Sequence, residues 1–268
     1  VVVVEKEVNL VDSEVTVVRV GDTRYAVACM ATAYFGHPAR KLKTIGITGT
    51  KGKTTTTYMI KSILESAGLK VGLIGTIEVI IGKERIPAAN TTPESYELQE
   101  YFARLVEAGI EVVVMEVSSQ GLMLHRVSGF TFDYGVFTNL EPDHIGEHEH
   151  KDFADYMHCK SLLFQQCKVG ILNGDSEHLA GILAGHTCQV ETYGCGEGVD
   201  LRAADIELWK APGVLGVRYR LSGLMDMEVT VNVPGIFSVY NSLSAIALCR
   251  HFQIAQDKIR EALEHVTV

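Results

Sequence analysis

No run in this chain approaches the roughly 18 consecutive apolar residues needed to cross a bilayer, although 47% of its 268 residues are hydrophobic. The apolar residues are spread through the sequence, enough to fill the core of one large domain or two modest ones. Basic residues are in deficit: 24 Lys and Arg face 33 Asp and Glu, a formal charge of −9 with the two signs interspersed. No basic stripe exists to neutralise a nucleic-acid backbone, so no nucleic-acid partner is expected, and no membrane insertion either. Cys29, Cys159, Cys167, Cys188, Cys195 and Cys249 are scattered, without a C-x-x-C pair or a disulfide-type spacing. A reducing, cytoplasmic setting is expected. An initiator methionine is also missing, and the opening run Val1–Val4 reads as the middle of a strand, so the sequence is expected to be a piece of a longer protein.

Residues 1–20 read as one or two strands ending at Gly21-Asp22, and Ala26–Tyr34 as a short helix stopped by Gly36 and Pro38. After Lys43 a regular alternation begins. Strand Thr44–Thr48, helix Lys53–Ala67 and strand Lys70–Ile74 lead into a loop through Pro87 and Pro93. Helix Glu94–Ala108, strand Val112–Val117, a short helix near Leu122–Val127 and strand Tyr134–Thr138 come next. Helix Phe153–Gln165, strand Val169–Leu172 and a helix near Glu177–Leu183 continue the pattern. This predicts an α/β fold of the P-loop type, a mainly parallel sheet with helices on both faces. The runs Ile206–Trp209, Val214–Leu221 and Met227–Val233, broken by Pro212-Gly213 and Gly223, predict a small antiparallel β layer attached to it. Helices Val239–His251 and Gln256–His265 follow.

The sharpest local signal is Gly46-Ile47-Thr48-Gly49-Thr50-Lys51-Gly52-Lys53-Thr54-Thr55, set between a strand and a helix. Glycines let the chain turn tightly, so that successive N–H groups and the helix N-terminus face phosphate; Lys53 reaches the outer phosphates and Thr54 can ligate magnesium. The strict G-x-x-x-x-G-K-[ST] pattern would place glycine at Ile47, so this is a variant loop. The blander alternative is a Gly/Thr-rich turn beside a surface lysine, which the strand–loop–helix setting disfavours.

Ligands of an open parallel sheet bind beyond the carboxyl ends of its strands. Glu116 ends such a strand and is a candidate magnesium ligand, with a helix cap or an ion pair as the alternative. Asn139 and Asp143-His144 reach the same edge, followed by His148, His150 and His158. A histidine-rich run raises zinc, but neither H-E-x-x-H nor a cysteine partner is evident, and Glu147, Glu149 and Asp152 read equally as a solvated loop. Lys160 falls at helical spacing with Tyr156, Met157 and Phe164, on or beside an apolar face. It is either a snorkelling lysine or an amine neutralised by burial and open to carbamylation, which would turn a cation into a metal-ligating carboxylate.

Together these pieces resemble the Mur ligase family. The resemblance rests on Thr48–Thr55, Asn90-Thr91-Thr92-Pro93-Glu94, Met115–Leu122 with His125-Arg126, Thr138-Asn139-Leu140 with Asp143-His144, Tyr156–Lys160, and Pro234–Asn241. The phosphate loop is common to that family and to folylpolyglutamate synthases, whereas the Asn-Thr-Thr-Pro-Glu and Ser-Ser-Gln-Gly-Leu runs point to the branch that adds the third amino acid of the peptidoglycan precursor.

The resemblance implies an ATP-dependent ligase using Mg2+, with UDP-muramoyl-dipeptide and a free amino acid as substrates and a monomeric state. By that resemblance Gly49, Thr50, Lys51, Gly52, Lys53, Thr54 and Thr55 would bind the ATP phosphates and Asn241 the adenine side. Thr54 and Glu116 would hold one magnesium, and His144 and carbamylated Lys160 would belong to a second metal site; Lys53, Glu116, His144 and Lys160 would form the catalytic set. Asn90, Thr91, Thr92, Ser118 and Arg126 would face the UDP-linked substrate. The chain departs from the resemblance at Leu124, where many relatives carry glutamine. Residues 1–21 would be the tail of a preceding UDP-binding domain and residues 22–268 the central ATP-binding domain. A folylpolyglutamate-type ligase, a nucleotide-hydrolysing switch and a catalytically silent nucleotide-binding module are the competing expectations.

Overall fold

The computed structural model describes residues 1–8, 14–146, 149–211 and 213–266. Residues 9–13 of the N-terminal strand region, Glu147 and His148 of the histidine-rich run, Pro212, Thr267 and Val268 lie outside the described residues.

Short strands β1 (Val2–Val4) and β2 (Val17–Arg19) pair in parallel with each other. Helix α1 (Thr23–Tyr34) begins three residues earlier than the apolar pattern indicates, because the Asp22 side chain accepts from the Tyr25 N–H and caps it. The alternation then unfolds as β3 (Lys43–Thr48), α2 (Lys53–Ser66), β4 (Val71–Ile74), β5 (Glu78–Ile81), β6 (Glu84–Pro87), α3 (Ser95–Glu107), β7 (Val112–Glu116) and α4 (Ser119–Met123). It continues with β8 (Phe132–Phe137), α5 (Phe153–Gln165), β9 (Cys167–Asn173), α6 (Leu179–Ile182) and β10 (Gln189–Gly194). Strands β11 (Leu201–Ala211), β12 (Val214–Gly223) and β13 (Met227–Val231) precede α7 (Ile236–Cys249) and α8 (Gln256–Glu264).

Among the described residues one 11-stranded sheet runs in the order β13-β12-β11-β10-β9-β8-β3-β7-β4-β5-β6. Its centre is parallel, and because both faces are covered the central strands are apolar throughout rather than alternating. Alternation instead sorts residues between two cores. Ile45, Ile47, Val112 and Val114 join α2, α7 and α8 on one face, while Val113, Met115 and Val117 join α3 and α5 on the other. A Cβ on Gly46 would lie 3.0–3.2 Å from Phe132, Val117 and Leu163, so the strand beneath the phosphate loop admits no side chain there without displacement. The chain leaves β3 for β4 on one side and later returns to β8 on the other, so the sheet order reverses around β3, the usual place for a ligand crevice.

The predicted α/β class holds, with further local differences beyond the earlier start of α1. The loop expected before Pro87 contains the β5–β6 hairpin, turned by Gly82 at φ 60° and Lys83; the alternation there is too short to stand out. The expected Leu122–Val127 helix lies earlier, over Ser119–Met123, because the Ser118 hydroxyl accepts from the Gly121 N–H and starts it. Strand β10, which the sequence left unassigned, joins β9 to β11 in parallel, so the antiparallel β11–β13 layer continues the main sheet.

Candidate functional site

The carboxyl ends of β3, β4, β7 and β8 meet at the loop that opens α2. Gly52 is the N-cap of α2 in a left-handed conformation (φ 81°) and supplies no side-chain cap. The first-turn amides of α2 are thus left for an incoming acceptor, the arrangement that binds phosphate at a helix start. The end of β8 supports the loop: the Thr50 N–H donates to the Asn139 carbonyl oxygen (2.9 Å), the Lys51 N–H to Asn139 Oδ1 (2.9 Å), and the Thr138 hydroxyl to the Lys51 carbonyl oxygen (2.8 Å). Lys51 itself is exposed and forms an ion pair with Glu141 at 2.6 Å. Thr55 sits in the first turn of α2.

Glu116 is 1% exposed at the end of β7 and is fully engaged. The Thr54 hydroxyl lies 3.0 Å from each of its oxygens. The Thr76 N–H and hydroxyl donate to Oε1 and Oε2, both at 3.0 Å. A carboxylate and a hydroxyl are hard oxygen donors of the kind magnesium takes, so this pair fits that ion.

Lys53 turns back onto its own loop, donating to the carbonyl oxygens of Gly49 (2.9 Å) and Thr50 (3.1 Å). Lys160, 1% exposed on α5, donates to the same Gly49 oxygen at 2.9 Å. Burial, and then the neighbouring Lys53 charge, hold the Lys160 amine well below the ordinary lysine value; burial also lowers Lys53, against the pull of Glu116 and Asp143. The Lys160 Nζ lies 4.4 Å from the Tyr156 ring centroid, and the His144 ring is 6.0 Å from that ring. His144 is half exposed with φ 54°, a left-handed conformation uncommon for histidine, and its Nδ1 is 2.9 Å from Glu149 Oε1.

The substrate-facing candidates form a second row beside Glu116. The Thr92 hydroxyl donates to the Glu116 carbonyl oxygen (3.1 Å) and accepts from the Ser118 N–H (2.9 Å), while Arg126 donates to the Thr92 carbonyl oxygen (3.0 Å) and pairs with Glu94 (2.8 Å). Thr91 Oγ1 lies 3.1 Å from Thr76 Oγ1. Asn90 is exposed just before it. Asn241, on α7, packs so closely that a Cβ on Gly52 would fall 2.4 Å from its Oδ1.

Several participants carry no sequence signal of their own. Tyr156 reads as an apolar-face residue, yet its hydroxyl is 3.1 Å from Thr50 Oγ1 and its ring neighbours both His144 and Lys160. Thr76 follows β4 outside any motif. A cysteine partner for the histidine run does exist in space: His150, Asp155 and Cys159 bring donor atoms within 4.8 Å of one another. Both His150 ring nitrogens are already engaged, Nε2 by Ser119 Oγ at 2.8 Å and Nδ1 by Asp155 Oδ2 at 3.2 Å, and burial pushes the Cys159 thiol up to about 11. The cluster reads as a hydrogen-bonded tie rather than a metal centre.

Fold and loop define an α/β domain of the phosphate-loop class. Residues 47–249 match the Mur ligase middle domain, and the chain belongs to the Mur ligase family. It is 42% identical over 271 residues to the UDP-N-acetylmuramoyl-L-alanyl-D-glutamate--2,6-diaminopimelate ligase of Clostridium perfringens, covering 99% of this chain and 54% of that protein. The ligase of the same name from Geobacillus thermodenitrificans is 41% identical over 268 residues, covering 94% of this chain and 53% of that protein. The chain thus spans about half the length of the curated relatives it matches. A solved structure of a ligase of that name superposes with a TM-score of 0.86 at 22% identity, over 99% of this chain and 54% of the other. Mycobacterium tuberculosis folylpolyglutamate synthase, complexed with ADP and AMPPCP, gives 0.68 at 16% identity, over 92% of this chain and 63% of the other. At those identities both structures speak to the fold alone.

Proposed function

We propose that the protein to which this chain belongs is an ATP-dependent carboxylate–amine ligase of peptidoglycan precursor synthesis. It adds the third amino acid, meso-diaminopimelate or L-lysine, to UDP-N-acetylmuramoyl-L-alanyl-D-glutamate. The observation that carries this reading is the meeting of Thr54 and Glu116 beside the open start of α2, with Lys53 and Lys160 on one carbonyl of the same loop. The names of the relatives favour diaminopimelate as the incoming amine.

In this reading Gly49–Thr55 cradle the ATP phosphates and Asn241 lies on the adenine side. Thr54 and Glu116 hold one magnesium, and His144 and carbamylated Lys160 contribute to a second metal site. Bound metal would offset charge on the transferred phosphoryl oxygens. Lys53 adds positive charge at the outer phosphates, and Asn90, Thr91, Thr92, Ser118 and Arg126 orient the UDP-linked substrate. A carboxylate oxygen of that substrate attacks the γ-phosphorus and ADP leaves. The amine then attacks the acyl carbon, phosphate departs with the former carboxylate oxygen, and the amine loses a proton as the amide forms. Holding the reactants in line supplies much of the rate.

Residues 22–268 form the central domain of that enzyme and residues 1–21 the end of a preceding one, in keeping with β1 and β2 pairing only with each other among the described strands. A monomer working in the cytoplasm is proposed, in line with six unpaired cysteines; among the described residues no helix is long and apolar enough to cross a membrane. The test is ADP formation by the complete protein. A ligase sustains ADP formation beyond one equivalent per enzyme only when both the UDP-dipeptide and the amino acid are present; steady phosphate release without them, or competition by a folate substrate, would refute this reading.

A further inference from the structure

Thr76 stands just past β4, and its side chain joins two parts of the site that lie apart in the sequence. Its hydroxyl donates to Glu116 Oε2 at 3.0 Å and lies 3.1 Å from Thr91 Oγ1. A hydroxyl has one proton to give. Because Thr76 gives it to the carboxylate, Thr91 must donate to Thr76, leaving only acceptor lone pairs on Thr91 for whatever arrives from the substrate side. The donors therefore all point one way, from Thr91 through Thr76 to Glu116, and the carboxylate charge polarises the row.

Glu116 has a second hydroxyl donor, Thr54, 3.0 Å from both of its oxygens. Those two residues are the oxygen pair that fits magnesium, so an ion bound between them would take the place of their mutual hydrogen bond. The two bonds from Thr76 need not break, which leaves Thr76 as the group that fixes the plane of the carboxylate. Partners of this kind set the orientation of metal-ligating carboxylates.

We propose that Thr76 is a positioning residue that makes metal binding at Glu116 and docking of an N–H or O–H donor of the UDP-linked substrate at Thr91 depend on each other. This rests on the ligase reading. A donor arriving at Thr91 strengthens the row and steadies Glu116, and by reciprocity bound metal-nucleotide tightens the substrate by the same factor.

The test uses the complete enzyme with Thr76→Val, which keeps the backbone N–H and the shape but removes the hydroxyl, and Thr76→Ser, which keeps the hydroxyl. Binding of Mn2+ with a non-hydrolysable ATP analogue is read by electron paramagnetic resonance, with and without UDP-muramoyl-dipeptide. The dipeptide should tighten Mn2+ in the wild type and in Thr76→Ser. In Thr76→Val, Mn2+ should bind about tenfold more weakly and no longer respond to the dipeptide. An unchanged response in Thr76→Val, a Thr76→Ser variant that behaves like it, or a wild type that binds both ligands without coupling would overturn the proposal. A wild type that binds neither ligand would instead remove the ligase reading on which it stands.

Discussion

Lys53 and Lys160 share one acceptor: the Gly49 carbonyl oxygen receives a hydrogen bond of 2.9 Å from each amine. Two ammonium groups that close, one of them 1% exposed, cannot both keep their protons cheaply. Lys160 is the one that gives way, through burial first and the charge of Lys53 second. A neutral, positioned amine is also what carbamylation requires, so the burial that makes Lys160 resemble a core residue equips it for the role proposed here.

The sign of the resulting pH dependence follows. The Lys160 value is lowered from 10.5, so between its folded value and 10.5 the unfolded chain binds more protons than the folded one. Stability should therefore rise with pH through that window and gain nothing further from Lys160 above it. Lys160→Met should flatten the rise, as read from urea midpoints across the pH range in carbonate-free buffer. An unchanged slope would mean that Lys160 keeps its proton in the fold.

Gly52→Ala should impair both folding and nucleotide binding. A left-handed alanine costs about 1–2 kcal/mol, and the added methyl would fall 2.4 Å from Asn241 Oδ1, displacing that side chain. Thermal melting with and without Mg-ATP measures the two effects separately.

Glu116→Gln keeps the shape but places an amide NH2 where a carboxylate oxygen accepts from Thr54 and Thr76. The hydrogen bonds from Thr54 and Thr76 lose their charged acceptor and at least one is broken or must reverse, so about 1–3 kcal/mol of stability should be lost. Magnesium-dependent nucleotide binding should fall further than binding without metal, as calorimetric titration can show.

Tyr156→Phe removes the hydroxyl 3.1 Å from Thr50 Oγ1 and leaves the ring beneath Lys160 in place. The expected loss is about 1 kcal/mol, measured by denaturant unfolding. A much larger loss would mean that the ring had moved with it.

The alternation of strands and helices was legible because it rests on long apolar runs. The phosphate loop was legible because its glycines and Lys53-Thr54 are adjacent in the chain. Glu116 and Lys160 were readable as candidates, since one ends an apolar strand and the other interrupts an apolar helix face. Thr76 and Tyr156 were not: a threonine after a strand and a tyrosine on an apolar face are ordinary in any sequence, and their partners lie 40 and 106 residues away. The β5–β6 hairpin escaped for a similar reason, four-residue strands being too short to carry a period.

The most direct test of amide formation through an acyl phosphate is the fate of the substrate carboxylate oxygen. With both carboxylates of the D-glutamyl residue labelled with 18O, the complete enzyme should deliver one labelled oxygen into inorganic phosphate for each amide formed. Phosphate released without label, while amide accumulates, would contradict attack of the carboxylate on ATP and the roles assigned to the loop, Glu116 and Lys160.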